Sequence, residues 1–483
     1  MNKFSLLSVL FIIVFTAPAS AEFSIKNRTY KRLEKIRNQK KKMVLEYFRG
    51  TEKKAKNAAA DKDLIRIFNT IKMICRNPKN HGAENLSKHE AELNMLYVKK
   101  YLNFYDILFV DEQGYVFHSI KKESDFHKNF FKQGLISRND LSRGKEFIDF
   151  KHYPPSDEAA SFFFIKIKGG CLIFQMPLNT INRILANKKN TGKTTEVYLV
   201  NEEHLMLTDS RFSEDSTALK QIVETETVKK AAKMNSGRFI TKDYRGVRVF
   251  SSFEKFSIMG YKWIIIAEID EAEVITEYFN NMNNRQREIL YNEVKNCSRP
   301  PVNIFPPKSK NALKVDMNEF AKSSGGKDIY TKGVGTCTSV VFEYPDKFVY
   351  LSHISPLDSV YKKNILTRFF LGDNNYSYFE NLINNIMYFE LVPAETHKIK
   401  VFVIASHTAS INEISDKLIQ KGFMSNQIFF AYEPHASKAD VYYINSVNAV
   451  CVKWYNDNHK LFKKVNAESY CSLSRLIKNV YDY

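Results

Sequence analysis

A chain of 483 residues, 44% of them hydrophobic, is too long for one ordinary domain and apolar enough to build two or three cores. Its 17 glycines and 13 prolines exclude a fibrous or mostly disordered protein, and six cysteines in this length exclude a small disulfide-knot scaffold. With 72 Lys and Arg against 53 Asp and Glu the formal charge is +19, and much of the excess sits early in the chain.

Residues 1–21 read as an export signal. Lys3 supplies the positive start, residues 4–15 (FSLLSVLFIIVF) the apolar stretch, and Ala19, Ser20 and Ala21 a small-residue cleavage site before Glu22. The alternative is an uncleaved membrane anchor. No later segment approaches the roughly 20 apolar residues that span a bilayer, and residues 263–267 (WIIIA) are strand-sized. The chain is therefore expected to be periplasmic or secreted, and membrane-anchored where the signal is retained. The basic run Lys26, Arg28, Lys31, Arg32, Lys35, Arg37, Lys40, Lys41 and Lys42 can hold acidic lipid headgroups, or can simply face solvent from a helix. No zinc-finger spacing or RNA-binding signature accompanies it, so no nucleic-acid partner is expected.

From residue 29 to about 73, Tyr30, Leu33, Ile36, Met43, Tyr47, Leu64, Ile67 and Ile71 recur at helical spacing. A second helix is predicted at 89–101. Strand signals then take over: 106–110 (DILFV), a turn at Glu112, Gln113 and Gly114, and 115–120, followed by 161–168 and 171–175. The theme returns with 196–200 (EVYLV), a turn at 201–204, then strands at 205–209 (LMLTD), 246–253 and 263–269. Two related α+β modules are thus expected at about 101–185 and 190–275, behind a helical segment at 22–100. A helical, Pro-rich connector at 276–311 marks a boundary. The stretch 312–483 alternates strands such as 339–344 and 400–404 with a helix at 410–421, and is expected to fold independently.

Residues 106–126 (DILFVDEQGYVFHSIKKESDF), with 147–156 and 175–182, resemble the distal module of double Cache sensors, the extracytoplasmic sensing domains of chemoreceptors. Residues 198–200, 205–212, 243–246 and 263–270 resemble the proximal module in order and spacing. The resemblance implies a small ligand held by the distal module, with Phe117, Ser119, Asp149, Tyr153 and Phe164 as its candidate lining. Aromatic side chains would cover an apolar part, and Asp149 could accept hydrogen bonds from an amine; Phe117 and Phe164 read equally well as core. The Arg-x-Trp-Tyr signature of amine-binding Cache domains is absent. Chemoreceptors follow this region with a membrane span, whereas here residues 276–285 (TEYFNNMNNR) are polar.

The segment 331–344 (TKGVGTCTSVVFEY) sets Cys337 after a Gly-rich turn and before an apolar strand, with His353 sixteen residues on. A thiol nucleophile needs a base or positive neighbour, and Gly333 and Gly335 let backbone N–H groups converge near the sulfur. The Thr-x-Gly-x-Gly-x-Cys run and the later His resemble the CheD family of chemoreceptor glutamine deamidases. Thr331, Cys337 and His353 match its three positions. That resemblance implies that Cys337 attacks a glutamine carboxamide of a protein substrate, His353 moves the proton, and Thr331 orients the imidazole.

This chain departs from the family at 405–409 (ASHTA) and 432–438 (YEPHASK), where the deamidases carry glycine pairs. His407 and His435 stand as lesser alternative imidazoles. No short-spaced His or Cys pair points to a metal, and no cofactor is expected. A nucleophilic Cys337 must stay unbridged, and Cys451 with Cys471 is the disulfide to test.

Taken together, the expected fold is α+β: a long N-terminal helix with two PAS-like Cache modules, then an α/β CheD-like sandwich. The expected function is an exported, sensor-linked cysteine hydrolase that deamidates protein glutamine. The alternatives are a non-catalytic ligand-binding sensor whose last domain is an interaction module, and a thiol peptidase.

Overall fold

A computed structural model describes residues 17–77, 83–133, 137, 146–186, 191–294, 302, 304–323, 326–355, 378–387, 397–406, 408–466 and 472–480. Residues 28–271 form one compact unit and the chain from 272 onward belongs to a second. The apolar stretch 4–15 lies outside the described residues. Among those described, no helix is long and apolar enough to cross a membrane.

Helix α1 (Ala17–Ala58) runs into a break, and α2 (Lys62–Arg76) starts anew where Asp61 caps it by accepting from the N–H groups of Asp63 and Leu64. The predicted single helical stretch is therefore two helices. A third, α3 (Ala83–Leu96), precedes the first sheet. The basic run of α1 is divided. Arg37 is buried and donates to Ser252 Oγ and the Phe253 carbonyl, both at 2.8 Å, Lys40 reaches the Ile184 carbonyl, and Lys41 pairs with Glu254. Lys31, Lys35 and Lys42 stay exposed.

The first sheet is antiparallel, with β1 (Asp106–Val110), β2 (Val116–Ser119), β3 (Phe147–Tyr153), β4 (Glu158–Ile167) and β5 (Gly170–Pro177) in the order β2-β1-β5-β4-β3. One face carries Leu108, Val116, Phe162, Phe164 and Ile173, packed with Phe130 and Tyr153. The other turns Phe109 and Phe117 to Phe68 of α2, each ring 5.1 Å away. After α4 (Leu178–Ala186) comes β6 (Glu196–Val200), then α5 (Glu226–Lys233), β7 (Ser236–Lys242), β8 (Arg248–Ile258) and β9 (Tyr261–Asp270), ordered β6-β9-β8-β7. The predicted strand at 205–209 is not one. Only single bridges form at Met206 and Leu205, because Asp209 gathers the Ser216 hydroxyl and the Thr217 and Ala218 amides and draws the chain off the ladder.

Trp263 ties the two sheets of this unit together. Its indole N–H donates to Asp149 Oδ2 at 2.8 Å, and its ring meets Phe48 of α1 edge-on at 5.3 Å. Trp263→Phe leaves that buried carboxylate oxygen without a donor. It is expected to lower unfolding stability by about 1–3 kcal/mol, read as a shifted urea midpoint; an unchanged midpoint would show that the contact is not holding the unit together.

In the second unit, α6 (Glu271–Asn280) and α7 (Asn284–Asn292) lead in, the latter started by a capping box between Asn283 and Gln286. The strands are β10 (Leu313–Lys314), β11 (Glu319–Ser323), β12 (Ile329–Val334), β13 (Thr338–Tyr344), β14 (Phe348–Ile354), β15 (Lys400–Ala405), β16 (Ile428–Tyr432), β17 (Lys438–Ile444), β18 (Ala449–Tyr455) and β19 (Leu461–Asn466). They form two sheets, β11-β14-β13-β15-β16 and β10-β12-β17-β18-β19. Val341, Leu351 and Ile404 of the first meet Val441, Val452 and Trp454 of the second in one core. On its other face the first sheet packs Phe342, Val401 and Val403 against α8 (Tyr378–Asn385), α9 (Thr408–Gln420) and α10 (Leu473–Val480) through Leu382, Ile414 and Leu476. The unit is a three-layer α/β/β sandwich, produced by strict inward and outward alternation along β13 and β14.

Candidate functional site

Thr331 on β12 and His353 on β14 belong to different sheets and meet across the inter-sheet core. Thr331 Oγ1 and His353 Nδ1 are 2.8 Å apart, and the residues are 0% and 2% exposed. His353 Nε2 is buried and, among the described residues, has no hydrogen-bond partner. A threonine hydroxyl can accept from Nδ1–H, and in that tautomer Nε2 carries a free lone pair. Burial holds the imidazole below its ordinary pKa, opposed in part by Asp316, so it stays neutral near pH 7.

Cys337 ends the turn between β12 and β13, and its thiol is free. It belongs to the inter-sheet core with Val341 and Leu351. Ser339 stands directly opposite His353, so Cys337 is one diagonal step away on the same face, a Cα separation of roughly 7–8 Å. The sulfur and Nε2 do not hydrogen-bond to each other. Burial raises the Cys337 thiol pKa, against the pull of the Gly335 N–H and the Thr336 side chain. The pair is thus a neutral thiol beside a neutral base, rather than a preformed thiolate and imidazolium.

The glycines have distinct reasons to be there. Gly333 has φ +74°, which a side chain tolerates poorly, and its N–H donates to Asp440 Oδ1 at 3.1 Å. A Cβ on Gly335 would stand 3.0 Å from the Ser437 carbonyl oxygen. Its own carbonyl accepts from Ser406 Oγ at 2.7 Å. Of the alternative imidazoles, His435 is exposed and His407 lies outside the described residues, as does Cys471. Among the described residues no three ligating side chains could hold a metal ion.

In the first unit, Ser119, Tyr153 and Phe164 share the inner face of the five-stranded sheet. Two of the expected lining residues do not join them. Phe117 is the extra residue of a register shift in the β1–β2 pairing and turns to α2. Asp149 sits in the shift between Ile148 and Lys151, where Trp263 and the Phe150 N–H engage its carboxylate. What the inner face holds instead is a group of acids. Ser119 Oγ donates to Asp106 Oδ2 at 2.8 Å, Tyr153 OH to Asp125 Oδ2 at 2.5 Å, and Tyr105 OH to Glu123 Oε1 at 2.6 Å.

Burial raises the Tyr153 hydroxyl pKa, and all three acids add to the rise. Burial, with Asp125 nearby, pushes Asp106 up to about 6. Asp125 Oδ1, Glu123 Oε2 and the Gln175 amide oxygen are buried without partners among the described residues. The site is rich in acceptors and short of donors. Its sequence signal was present but faint: an Asp opening an apolar strand, and two acids in the polar run after β2.

A separate cleft of about 630 Å³ is lined by Asn182, Arg183, Thr195, Glu196, Ser210 and Arg211 among others. Its charged groups are engaged internally, with Glu196 accepting from Ser210 and Tyr244 and Arg211 donating to the Thr195 carbonyl.

No protein-family model matches the chain, and no curated protein matches it. Solved structures similar to part of it include an extracellular ligand binding receptor from Desulfohalobium retbaense, 12% identical, with TM-score 0.34 over 48% of this chain and only 39% of that receptor. The sensor domain of the histidine kinase DctB from V. cholerae is 11% identical, with TM-score 0.34 over 52% of this chain and 100% of that domain. The periplasmic sensory domain of the Campylobacter jejuni chemoreceptor Tlp1 is 14% identical, with TM-score 0.36 over 54% of this chain and 100% of that domain.

Proposed function

We propose that residues 28–271 are an extracytoplasmic small-molecule sensor of the double Cache kind, and that its distal module takes a ligand carrying a protonated amine. One observation carries the reading: three buried acceptor oxygens, of Asp125, Glu123 and Gln175, have no donor among the described residues. An ammonium brings three N–H donors and one positive charge, which answers both the unpartnered oxygens and the excess of carboxylates. A carboxylate ligand without an amine would add to the charge already there.

The test is a calorimetric titration of the mature protein with a panel of amino acids, diamines and amine-free dicarboxylates. An amine-bearing compound is expected to bind, and Asp125→Asn to weaken it by about 10- to 100-fold, the range of a charge-assisted hydrogen bond. Binding of amine-free acids alone, with no effect of Asp125→Asn, would overturn the ligand class.

A second reading, for the terminal domain, is favoured by the Thr331–His353 contact. It is a thiol hydrolase similar to the CheD deamidases, acting on the side-chain carboxamide of a protein glutamine. The Cys337 sulfur attacks the carboxamide carbon while its proton passes to His353 Nε2. The C–N bond then breaks, that proton leaves with ammonia, and a thioester remains. Water adds, its proton taken by the same imidazole, and glutamate is released with the thiol restored. Turn amides around Gly335 are the available donors to the oxyanion. In the competing view the terminal domain is a silent interaction module, with Cys337 a buried thiol.

A further inference from the structure

We propose that Asp440 is a positioning residue for Cys337: its carboxylate fixes the glycine turn that delivers the sulfur to the inter-sheet core. The proposal rests on the thiol-hydrolase reading of the terminal domain. Asp440 lies on β17, one residue before Val441, which faces Thr331 across the β12–β17 ladder. Val441 points into the inter-sheet core, so the Asp440 side chain lies on the opposite, outer face of the sheet.

The turn comes to it there. The ladder shifts register between Thr331 and Val334, and within that bulge Gly333 adopts its positive φ and donates its N–H to Asp440 Oδ1 at 3.1 Å. The other carboxylate oxygen accepts from the Tyr455 hydroxyl at 3.1 Å and the Tyr442 hydroxyl at 3.4 Å. Tyr442 is itself held, its ring stacked on Tyr330 at 5.8 Å and 13°. Asp440 is 8% exposed, and among the described residues no cation stands within ion-pairing distance of it.

A largely buried carboxylate satisfied only by neutral donors is costly to keep. An apolar residue at this position would pack on the tyrosine rings and make a steadier sheet. What only an acceptor can do is hold the Gly333 amide. Released from Asp440, that amide loses its carboxylate acceptor, and the bulge that separates Thr331 from Cys337 loses this tether. Thr331 would stay on its strand and His353 on its own, while the sulfur, three residues beyond Val334, would not be set in place relative to either. Asp440 thus acts on the reaction through the turn and touches neither substrate nor base.

The test compares Asp440→Ala, Asp440→Asn, Gly333→Ala and His353→Ala in the full mature chain. Two readouts are used: hydrogen exchange of the peptide containing Gly333, and the pH profile of Cys337 alkylation by iodoacetamide. Asp440→Asn keeps an acceptor for the Gly333 N–H and is expected to keep both readouts near those of the parent. Asp440→Ala is expected to speed exchange at the turn at least 10-fold and to change the alkylation profile, with Gly333→Ala reproducing the second effect. Tyr442→Phe, which removes only a weak contact on the far oxygen, serves as the control that leaves both unchanged. Should Asp440→Ala lower thermal stability yet leave the folded protein's alkylation profile intact, while His353→Ala alters it, Asp440 is structural and the positioning role is overturned with the hydrolase reading standing. Should neither variant alter alkylation, the hydrolase reading falls and the positioning role with it.

Discussion

Cys337→Ala is expected to abolish ammonia release from glutamine-containing protein substrates, and His353→Ala to reduce it by about 10²- to 10⁴-fold, the range of a positioned general base. Thr331→Val should cost less, because it removes the hydrogen bond that orients the ring and leaves the base in place. The pH profile carries the sharper information. With the imidazole held below its ordinary pKa and the thiol above its own, the reactive form is the neutral pair. Activity should therefore rise on an acid limb below the usual imidazole range and stay level past pH 8.5, where a thiolate–imidazolium pair would already decline. Residual deamidation by the alanine variant at Cys337 would sink the assignment. A profile falling between pH 7 and 8.5 would show that the two groups exchange a proton before any substrate binds.

The parts of this site that could be read from the chain are the local ones. Thr331, Gly333, Gly335 and Cys337 lie within seven residues, and a strand, bulge and strand impose their spacing directly. His353 follows from one hairpin, since β13 and β14 pair in register from Thr338↔Ile354 to Tyr344↔Phe348. Asp440 could not be found that way. It is 107 residues from the glycine it holds, and an Asp before an apolar strand pair looks like any solvent-facing strand residue until the second sheet is assembled.

The two modules of residues 28–271 show the same division. Strand positions for β1, β5, β6 and β9 were legible because each is a short apolar run. Face assignment was not, because it depends on register. One extra residue in β2 sends Phe117 to the helix, and a shift in β3 turns Asp149 toward Trp263. Strict alternation counted back from Ser119 in β2 or from Tyr153 in β3 gives the wrong face for both. The break at Asp61 was hidden for a related reason, since apolar residues at helical spacing lie on both sides of it.

Residues 28–271 should lose stability as pH rises from about 4.5 to about 8, and Glu268→Gln should remove a large part of that loss. Glu268 on β9 stands directly opposite Glu196 on β6, a spacing of about 4.5–5.5 Å between Cβ atoms. The two carboxyls have unequal surroundings. Glu196 accepts from Ser210 Oγ, the Arg211 N–H and the Tyr244 hydroxyl. Glu268 accepts from Tyr198 OH at 2.9 Å, its Oε1 has no partner among the described residues, and Asp243 and Glu196 add negative charge nearby. Burial, first, and those carboxylates raise its pKa to about 8, so Glu268 is the protonated member. A folded state that holds a proton the unfolded chain releases above pH 4.5 is favoured most at low pH, and that advantage shrinks until pH passes 8. At about 1.4 kcal/mol for each pKa unit, the swing is on the order of 4 kcal/mol. Glutamine has the shape of the neutral acid and cannot ionise, so its unfolding midpoint should vary less with pH and should exceed that of the parent at pH 8. The measurement is urea unfolding at pH 5 and pH 8, followed by Trp263 emission in a Trp454→Phe background, since those are the chain's two tryptophans and one lies in each unit. Parallel pH dependence in the two proteins would mean that Glu268 is already ionised in the fold, with its charge met by the Tyr198 and Ser251 hydroxyls.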